Sequence, residues 1–269
     1  MKKKHSLYII CLVLVLVGVS CAPAQPEKSP EEQPDETQQP HGDYEDGVYF
    51  ANKADVDDHG WKPLATVVVQ GSEISKAYFD EINEDDRLKS FDQDYLERWK
   101  ESSGENLLSA EPELVDALMD GQDPNQVDAV SGATSTSEKF KQLISDVLKE
   151  SPQPDRDEVY YDGLFKAEGE YDERGWKAYV AVIVEDSKIT KAYYDEVNEE
   201  TGKLKSYDQE YLAKWKENSG SNLQEARQKL VQDLISIQKP QDVDAVSGAT
   251  STSLKFKELI EEALTPLVD

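Results

Sequence analysis

Hydrophobic and polar positions divide most of the chain into two regions with the same layout. In the first region, Val, Ile, Tyr and Phe are concentrated in three short runs, and this pattern predicts β-strands at residues 47–54, 64–70 and 74–82. Gly71-Ser72 separates the last two runs and favours a hairpin turn. The second region repeats these runs, with residues 185–187 (EDS) at the turn position.

Helical patterns follow the strands in both regions. The spacing Ser90-x-x-Gln93, repeated at Ser206-x-x-Gln209, is typical of a capping box and predicts a helix that begins there. A second helix is predicted around residues 112–119 and, in the second region, around 225–237. A third amphipathic helix is indicated by apolar residues at helical spacing, Phe140, Leu143, Ile144 and Val147, and by their counterparts Phe256, Leu259, Ile260 and Ala263.

The two regions are copies of one module. Residues 127–137 read VDAVSGATSTS, and residues 243–253 read the same eleven letters. Upstream pairs such as Trp99-Lys100 with Trp215-Lys216 extend the repeat. The domain prediction is therefore module 1 at 43–150, a polar linker at 151–157 and module 2 at 158–269. Because strands come first and helices afterwards, the predicted fold class is α+β, with two tandem homologous modules that each pack helices on an antiparallel sheet.

The N-terminal residues predict export. Three lysines, an apolar run at 7–17 and small residues precede Cys21, and the run is too short to span a membrane. Residues 1–20 are predicted to be a signal peptide. The junction resembles a bacterial lipobox, which implies lipidation of Cys21, and a plain signal-peptidase site is the alternative. Residues 21–42, rich in Pro, Glu and Gln, are predicted to be a disordered tether.

Composition excludes several kinds of function. Lys and Arg number 29 against 56 Asp and Glu, giving a formal charge of -27, which argues against nucleic acid as a partner. Cys11 and Cys21 are the only cysteines, so the modules contain no thiolate metal cluster. His59 aligns with Arg174, which argues against a Ser-His-Asp hydrolase built on the repeat. The acidic runs are interpreted as solvated faces, and no metal site is predicted.

The repeated SGAT is the candidate site for chemistry. It lies immediately before the third helix of each module, where free backbone N–H groups and the helix dipole favour a phosphate. An ordinary Ser/Thr helix cap is the simpler interpretation, but a cap would not require all eleven residues to be retained.

These residues resemble the flavinylation motif of FMN-binding domains. In that family a separate flavin transferase, which uses FAD, joins FMN to the threonine of SGAT through a phosphoester. The resemblance implies two FMN groups, on Thr134 and Thr250. It also implies that Asp128 and Asp244 are the leading acidic residues of the motif and that a short turn is shaped by Ser131, Gly132 and Ala133 and by Ser247, Gly248 and Ala249. The Asp-Gly openings at Asp46 and Asp162 belong to the same resemblance.

Aromatic residues shared by both copies are candidates for flavin contact, although most of them are expected in the core. They are Trp61 and Trp176, Tyr78 and Tyr193, Tyr95 and Tyr211, and Trp99 and Trp215. Glu81, Asn83, Glu196 and Asn198 lie at predicted strand ends, where they would either bond the flavin ring or simply end the strand.

The leading functional hypothesis is a lipid-anchored flavoprotein on the outer face of the cytoplasmic membrane. It would relay electrons from a membrane quinone-linked dehydrogenase to extracellular acceptors such as ferric iron, as a carrier rather than a stand-alone enzyme. One alternative is a flavin-dependent reductase of a specific extracellular substrate. Another is a binding or signalling lipoprotein with no cofactor, a class that includes the lipoproteins whose cleaved signal peptides serve as pheromones.

Overall fold

The computed structural model describes residues 44–53, 56–155 and 160–267. The predicted signal peptide, Cys21 and the tether lie outside the described residues. Residues 156–157, the last two of the predicted linker, also lie outside them. Within the described ranges no helix is both long enough and apolar enough to cross a membrane.

Each module forms a three-stranded antiparallel sheet with three α-helices. The elements of module 1 are β1 (Gly47–Asn52), β2 (Trp61–Gln70), β3 (Glu73–Asn83), α1 (Gln93–Ser103), α2 (Leu107–Gly121) and α3 (Thr134–Val147). Those of module 2 are β4 (Gly163–Glu168), β5 (Trp176–Glu185), β6 (Lys188–Asn198), α4 (Gln209–Ser219), α5 (Leu223–Ile237) and α6 (Thr250–Ala263). The strand orders are β1-β2-β3 and β4-β5-β6, so the predicted α+β class and tandem arrangement are confirmed.

The predicted hairpin turns connect the two long strands of each sheet. Gly71 and Ser72 both have left-handed backbones, with φ of 64° and 65°, as a tight hairpin of this twist requires. The carboxylate of Asp46 accepts hydrogen bonds from both turn N–H groups, at 3.0 and 2.7 Å. In module 2, Asp162 accepts from the N–H of Ser187 at 2.7 Å. The repeated Asp-Gly opening is thus explained by its contact with the hairpin turn.

Both faces of each sheet are buried. One face packs against its own helices, for example through Phe79 on β3 and Phe140 on α3, whose ring centroids are 5.5 Å apart. The other face packs against the neighbouring sheet, because Val48 and Val68 belong to the core of module 2. Strand β4 also docks on β2 through its backbone: the N–H of Leu164 donates to Thr66 Oγ1 at 2.8 Å. The modules therefore share an apolar interface.

The predicted capping boxes at Ser90 and Ser206 are wrong. Helix α1 begins at Gln93, and its cap is Asp92, which accepts from the N–H of Tyr95 at 3.0 Å. Ser90 lies one turn earlier in a short 3-10 helix, where its hydroxyl donates to the buried Asp80. In module 2, Asp208 caps α4 in the same way, and the N–H of Ser206, rather than its hydroxyl, donates to the buried Asp195 at 3.1 Å. Asp92 and Asp208 occupy the cap positions because a carboxylate accepts hydrogen bonds from the first N–H groups of a helix and interacts favourably with the helix dipole.

The second helix of module 1 begins earlier than predicted. Asn106 caps α2 and shares a reciprocal pair of hydrogen bonds with Ser109, so the helix starts at Leu107. Pro112 lies inside this helix rather than at its first position. The linker is also anchored: the N–H of Gln153 donates to the carbonyl of Val48 at 2.9 Å.

Candidate functional site

The SGAT motif forms a tight turn into α3 and, in module 2, into α6. Gly132 and Gly248 have left-handed φ values of 82° and 78°. A Cβ at Gly132 would lie 2.9 Å from the carbonyl oxygen of Ser103, and one at Gly248 would lie 2.3 Å from that of Ser219. Each glycine is therefore required both by its conformation and by the close approach of a helix end, that of α1 in module 1 and of α4 in module 2.

A tryptophan and a serine hold this turn in place. Trp99 Nε1 donates to the carbonyl of Gly132 at 2.9 Å, and Trp215 does the same to Gly248 at 3.0 Å. Ser137 accepts from the N–H of Val130 at 3.1 Å and donates to the carbonyl of Ala133 at 2.9 Å. Ser253 makes the equivalent two bonds in module 2. The last serine of SGATSTS is therefore a structural bridge across the turn.

Thr134 and Thr250 are the first residues of their helices, and both are exposed. Neither helix has a side-chain hydrogen bond at its cap, where Ala133 and Ala249 stand. The interpretation of SGAT as an ordinary Ser/Thr cap is consequently wrong. Backbone N–H groups at such a helix start are available to an anion, as the sequence analysis predicted.

Beside Thr134 lies a cleft of about 170 Å³. Its walls are formed by the SGAT turn and by side chains from three other parts of module 1: Asp57, His59, Lys89, Tyr95, Trp99 and Lys139. Lys89 Nζ lies 5.0 Å from the ring centroid of Trp61 and 4.9 Å from that of Tyr95, so the lysine is stacked among aromatic faces.

A buried carboxylate organises the cations of this cleft. Glu81 is fully buried, pairs with Lys89 at 2.7 Å and also accepts a hydrogen bond from Lys139. Lys139 contacts Asp57 as well, at 2.5 Å. Burial lowers the pKa of Lys89, although Glu81 opposes that effect. Burial would also lower the pKa of Lys139, but its hydrogen bonds to Asp57 and Glu81 raise it above the ordinary value.

The Asp57 carboxylate is strongly held in its ionised form. Burial works to raise its pKa, but hydrogen bonds from Lys139 and from the N–H groups of Trp61 and His59 outweigh burial and lower the pKa to about 2. Asp57 therefore connects the loop before β2 to Lys139 in the wall of the cleft.

Module 2 has a corresponding cleft beside Thr250, with a volume of about 410 Å³. This value falls within the ~300–1,000 Å³ typical of small-molecule sites. The equivalent residues recur in its walls: Asp172, Glu196, Lys205, Tyr211, Trp215 and Lys255. The larger cleft also includes Arg174, Lys214 and Asn218. Lys205 pairs with Glu196, and its Nζ lies 4.5 Å from the ring centroid of Trp176.

The structure brings together only part of the predicted motif. Gly132, Ala133 and Thr134 line the first cleft, and Gly248, Ala249 and Thr250 line the second. The motif's other predicted residues are exposed and lie outside these two sets of lining residues, namely Asp128, Ser131, Asp244 and Ser247.

The shared aromatics divide between core and cleft. Tyr95, Trp99, Tyr211 and Trp215 line the clefts. Trp61 is buried, with 4% of its surface exposed. Tyr78 and Tyr193 instead pack where the two sheets meet: the Tyr78 ring is 5.9 Å from Phe165, and the hydroxyl of Tyr193 donates to the carbonyl of Asp86.

The lysines of both clefts and the aspartates Asp57 and Asp172 were not among the residues predicted from the sequence. Their signal was present, because Lys89 aligns with Lys205 and Lys139 with Lys255 in the two copies. Exposed lysines are common on helices, so the alignment alone did not mark them as cleft residues. The described ranges contain no group of three or more His, Cys, Asp or Glu side chains able to hold a metal.

Comparison with known proteins agrees with the doubled architecture. The profile of the FMN-binding domain family matches residues 60–149 and 175–265. The 15 kDa lipoprotein of Treponema pallidum (strain Nichols) is 33% identical over 113 residues, which span 42% of this chain and 80% of that protein.

Two solved structures are also similar. The CPE2226 protein of Clostridium perfringens is 34% identical, with a TM-score of 0.39, and the match covers 42% of this chain and 99% of that one. A Clostridium thermocellum protein solved by NMR is 25% identical, with a TM-score of 0.30, over 42% of this chain and 97% of that one.

The fold and its two clefts are thus those of a tandem cofactor-binding protein. The chain belongs to the FMN-binding domain family, with one domain in each module.

Proposed function

We propose that this chain is a lipid-anchored flavoprotein with two covalent FMN groups, attached to Thr134 and Thr250. The observation that carries the proposal is the same in both modules: an exposed threonine opens a helix of 14 residues and lines a cleft walled by Tyr, Trp and Lys side chains. These features suit the parts of FMN, because helix N–H groups favour its phosphate and aromatic faces favour its ring.

The attachment step needs an exposed hydroxyl on a rigid turn. The Thr134 oxygen would form a bond to the FMN phosphorus of FAD and displace AMP, with a flavin transferase handling the proton. Trp99 and Ser137 contribute by fixing the carbonyls of Gly132 and Ala133, so that the threonine is presented in one geometry. Trp215 and Ser253 have the same role for Thr250.

Once bound, FMN would supply reversible electron transfer. Around it, Lys89 and Lys139 in module 1, and Lys205 and Lys255 in module 2, would oppose negative charge that accumulates on reduction. The carboxylates of Glu81 and Glu196 hold these lysines in position.

The cellular role is proposed as an electron relay on the outer face of the cytoplasmic membrane. The Treponema relative is named a lipoprotein, and Cys21 follows a signal-like segment here. The donor would be a membrane quinone-linked dehydrogenase and the acceptors extracellular oxidants such as ferric iron. An anchor followed by a polar tether would give the modules reach while keeping them at high effective concentration near the donor.

The decisive experiment is the intact mass of the chain, expressed with and without an active flavin transferase, followed by peptide mapping. We expect two increments of FMN minus water, one lost in Thr134→Val and the other in Thr250→Val. Ser135→Ala and Ser251→Ala are matched controls, because these neighbouring hydroxyls are also exposed, and they should retain both increments. An unmodified chain in the presence of active transferase would refute the proposal.

The relay role has its own test. Cells that carry only the Thr134→Val/Thr250→Val double variant should display a folded lipoprotein but reduce external ferric iron poorly. Normal reduction by these cells would exclude the relay while leaving covalent flavinylation intact.

A further inference from the structure

The two clefts contain equivalent central residues but differ in the contacts of one lysine, which is Lys139 on α3 in module 1 and Lys255 on α6 in module 2. In module 1, Lys139 contacts both Asp57 and the buried Glu81 directly. In module 2, Lys255 Nζ lies 3.8 Å from Asp172 and 3.6 Å from Glu196. The Lys255 side chain is also more exposed, at 32% against 18% for Lys139. Its charge is consequently less neutralised by its partners and more available to the cleft.

Module 2 also carries additional cations in its cleft wall. Arg174 stands where module 1 has His59, which has no formal charge at neutral pH, and Lys214 lines the cleft as well. The module 1 counterpart of Lys214 is Arg98, which lies 6.0 Å from the ring centroid of Tyr95 and lines an adjoining groove that shares His59 and Tyr95 with the cleft. That groove also contains the carboxylates of Glu84, Asp85 and Asp92, which offset the charge of Arg98.

The result is a difference in local charge. The cleft of module 1 sets Lys89 and Lys139 against Asp57 and Glu81, so that its ion-paired groups balance. The cleft of module 2 sets four cations, Lys205, Lys214, Lys255 and Arg174, against two carboxylates, Asp172 and Glu196. The residues that line the module 2 cleft therefore carry two more cations than carboxylates, although the whole chain has a formal charge of -27.

From this difference we infer that module 2 holds its flavin at the higher reduction potential, so that electrons collect on module 2. The inference rests on the proposed function. Reduction adds negative charge to a flavin, and fixed cations near the ring stabilise the reduced form. The residues that set the difference are Arg174, Lys214 and Lys255. They would determine the reduction potential of the module 2 flavin and not its attachment to Thr250.

The consequence for the carrier is a direction of internal transfer. A pair of electrons that moves from module 1 to module 2 oxidises the first flavin and reduces the second. Any proton released by the first is matched by uptake at the second or from solvent, and no further reductant is consumed. Module 1 is then the entry site for electrons from the membrane donor, and module 2 is the exit site.

The test uses the full chain after flavinylation has been verified by mass. Thr250→Val leaves only the flavin of module 1, and Thr134→Val leaves only that of module 2. Potentiometric titration at pH 8, above the ordinary titration range of imidazole, should give the higher midpoint to the module 2 flavin. We expect a bias of at least about tenfold in the electron distribution, which corresponds to ~30 mV for a two-electron couple.

Reciprocal substitutions then assign the cause. Arg174→His with Lys214→Gln should lower the module 2 midpoint towards that of module 1, and His59→Arg should raise the module 1 midpoint. All three residues are exposed, so these variants should fold. Equal midpoints in the two single-flavin chains, a higher midpoint in module 1, or midpoints unmoved by the substitutions would overturn the inference. A chain that never acquires FMN would instead overturn the proposed function, and the inference with it.

Discussion

Modules 1 and 2 contain the same motif on the same fold, yet they balance their buried charges differently. In module 2 the buried Asp195 is paired with Arg227 of the same module, at 2.9 Å. Among the described residues of module 1, the corresponding Asp80 has no cationic partner, and Glu111 occupies the position of Arg227. The cation comes instead from Lys166 on β4, which contacts both Asp80 and Glu111. For this buried charge, module 1 therefore depends on a cation from module 2, whereas module 2 supplies its own.

Removal of Lys166 should have the largest effect of the changes considered. Burial tends to lower the pKa of Lys166, but Glu111 and Asp80 outweigh burial and raise it, so the lysine is charged. Lys166→Met leaves two buried carboxylates without a cation, and we expect a loss of about 3–5 kcal/mol in the free energy of unfolding. Urea denaturation measures the loss, and hydrogen exchange should locate it in module 1.

Arg227→Met is the matched control for this comparison. Its side chain is 33% exposed, against 15% for Lys166, so water can replace part of its contact with Asp195. A smaller loss is therefore expected, located in module 2. Adding Asp80→Asn and Glu111→Gln to Lys166→Met should recover stability. Equal losses in the two single variants, or no recovery, would contradict the proposed difference in how the two modules compensate this buried carboxylate.

The turn glycines provide the second comparison. Both are left-handed, but a Cβ would be closer to backbone at Gly248 than at Gly132, 2.3 against 2.9 Å. Gly248→Ala should therefore destabilise the turn by up to about 3 kcal/mol, and Gly132→Ala by less. Thermal unfolding measures the stability, and intact mass measures FMN attachment at Thr250 and Thr134. A larger effect at Gly132 would contradict the geometry.

Much of this arrangement was readable from the sequence, and the reasons for the failures are physical. The runs rich in Val, Ile, Tyr and Phe, the helical patterns after them and the eleven-residue repeat correctly predicted the two α+β modules. The apolar run Val67-Val68-Val69 also indicates a strand buried on both faces, which would have predicted the packing of one sheet on the other. Lys166 could not be assigned in the same way, because its partners lie in the other module and sequence periodicity is a local property.

The candidate site was likewise predicted only in part, because some of its features depend on contacts between residues far apart in the chain. Thr134 and Thr250 were predicted from the resemblance of the repeated motif to the flavinylation motif, and both line the clefts. Trp99 and Trp215 were noticed as shared aromatics, but their role in holding the turn carbonyls depends on a contact over 33 positions in the chain. The capping boxes failed because Ser90 is used by the buried Asp80, a tertiary contact that overrides a local preference.

The second lysines of the clefts provide the third comparison. Lys139 directly contacts Asp57 and Glu81, whereas Lys255 is 3.6 Å or more from its carboxylates. Lys139→Gln should cost about 1.5 kcal/mol of unfolding free energy, since Glu81 then keeps only Lys89. Lys255→Gln should cost less than about 1 kcal/mol. Chemical denaturation measures the unfolding free energy of the two variants. Equal losses would mean that the longer Lys255 contacts in module 2 do not reduce the contribution of this lysine to stability.

The smallest expected effect is an acid-dependent one, at Asp57. Its folded-state pKa is lowered from 3.8 to about 2, so its ionised form contributes stability that is fully present above pH 3.8 and is lost as the pH falls towards 2. Asp57→Asn should therefore flatten the decline of unfolding free energy across this range, with an effect below about 1 kcal/mol because the side chain is partly solvated. Asp172→Asn is the matched variant, and its decline should change less, because Asp172 has a more distant lysine. A larger change in this decline for Asp172→Asn would contradict the prediction. It would indicate that the cleft of module 2 depends on its aspartate more than the cleft of module 1 does.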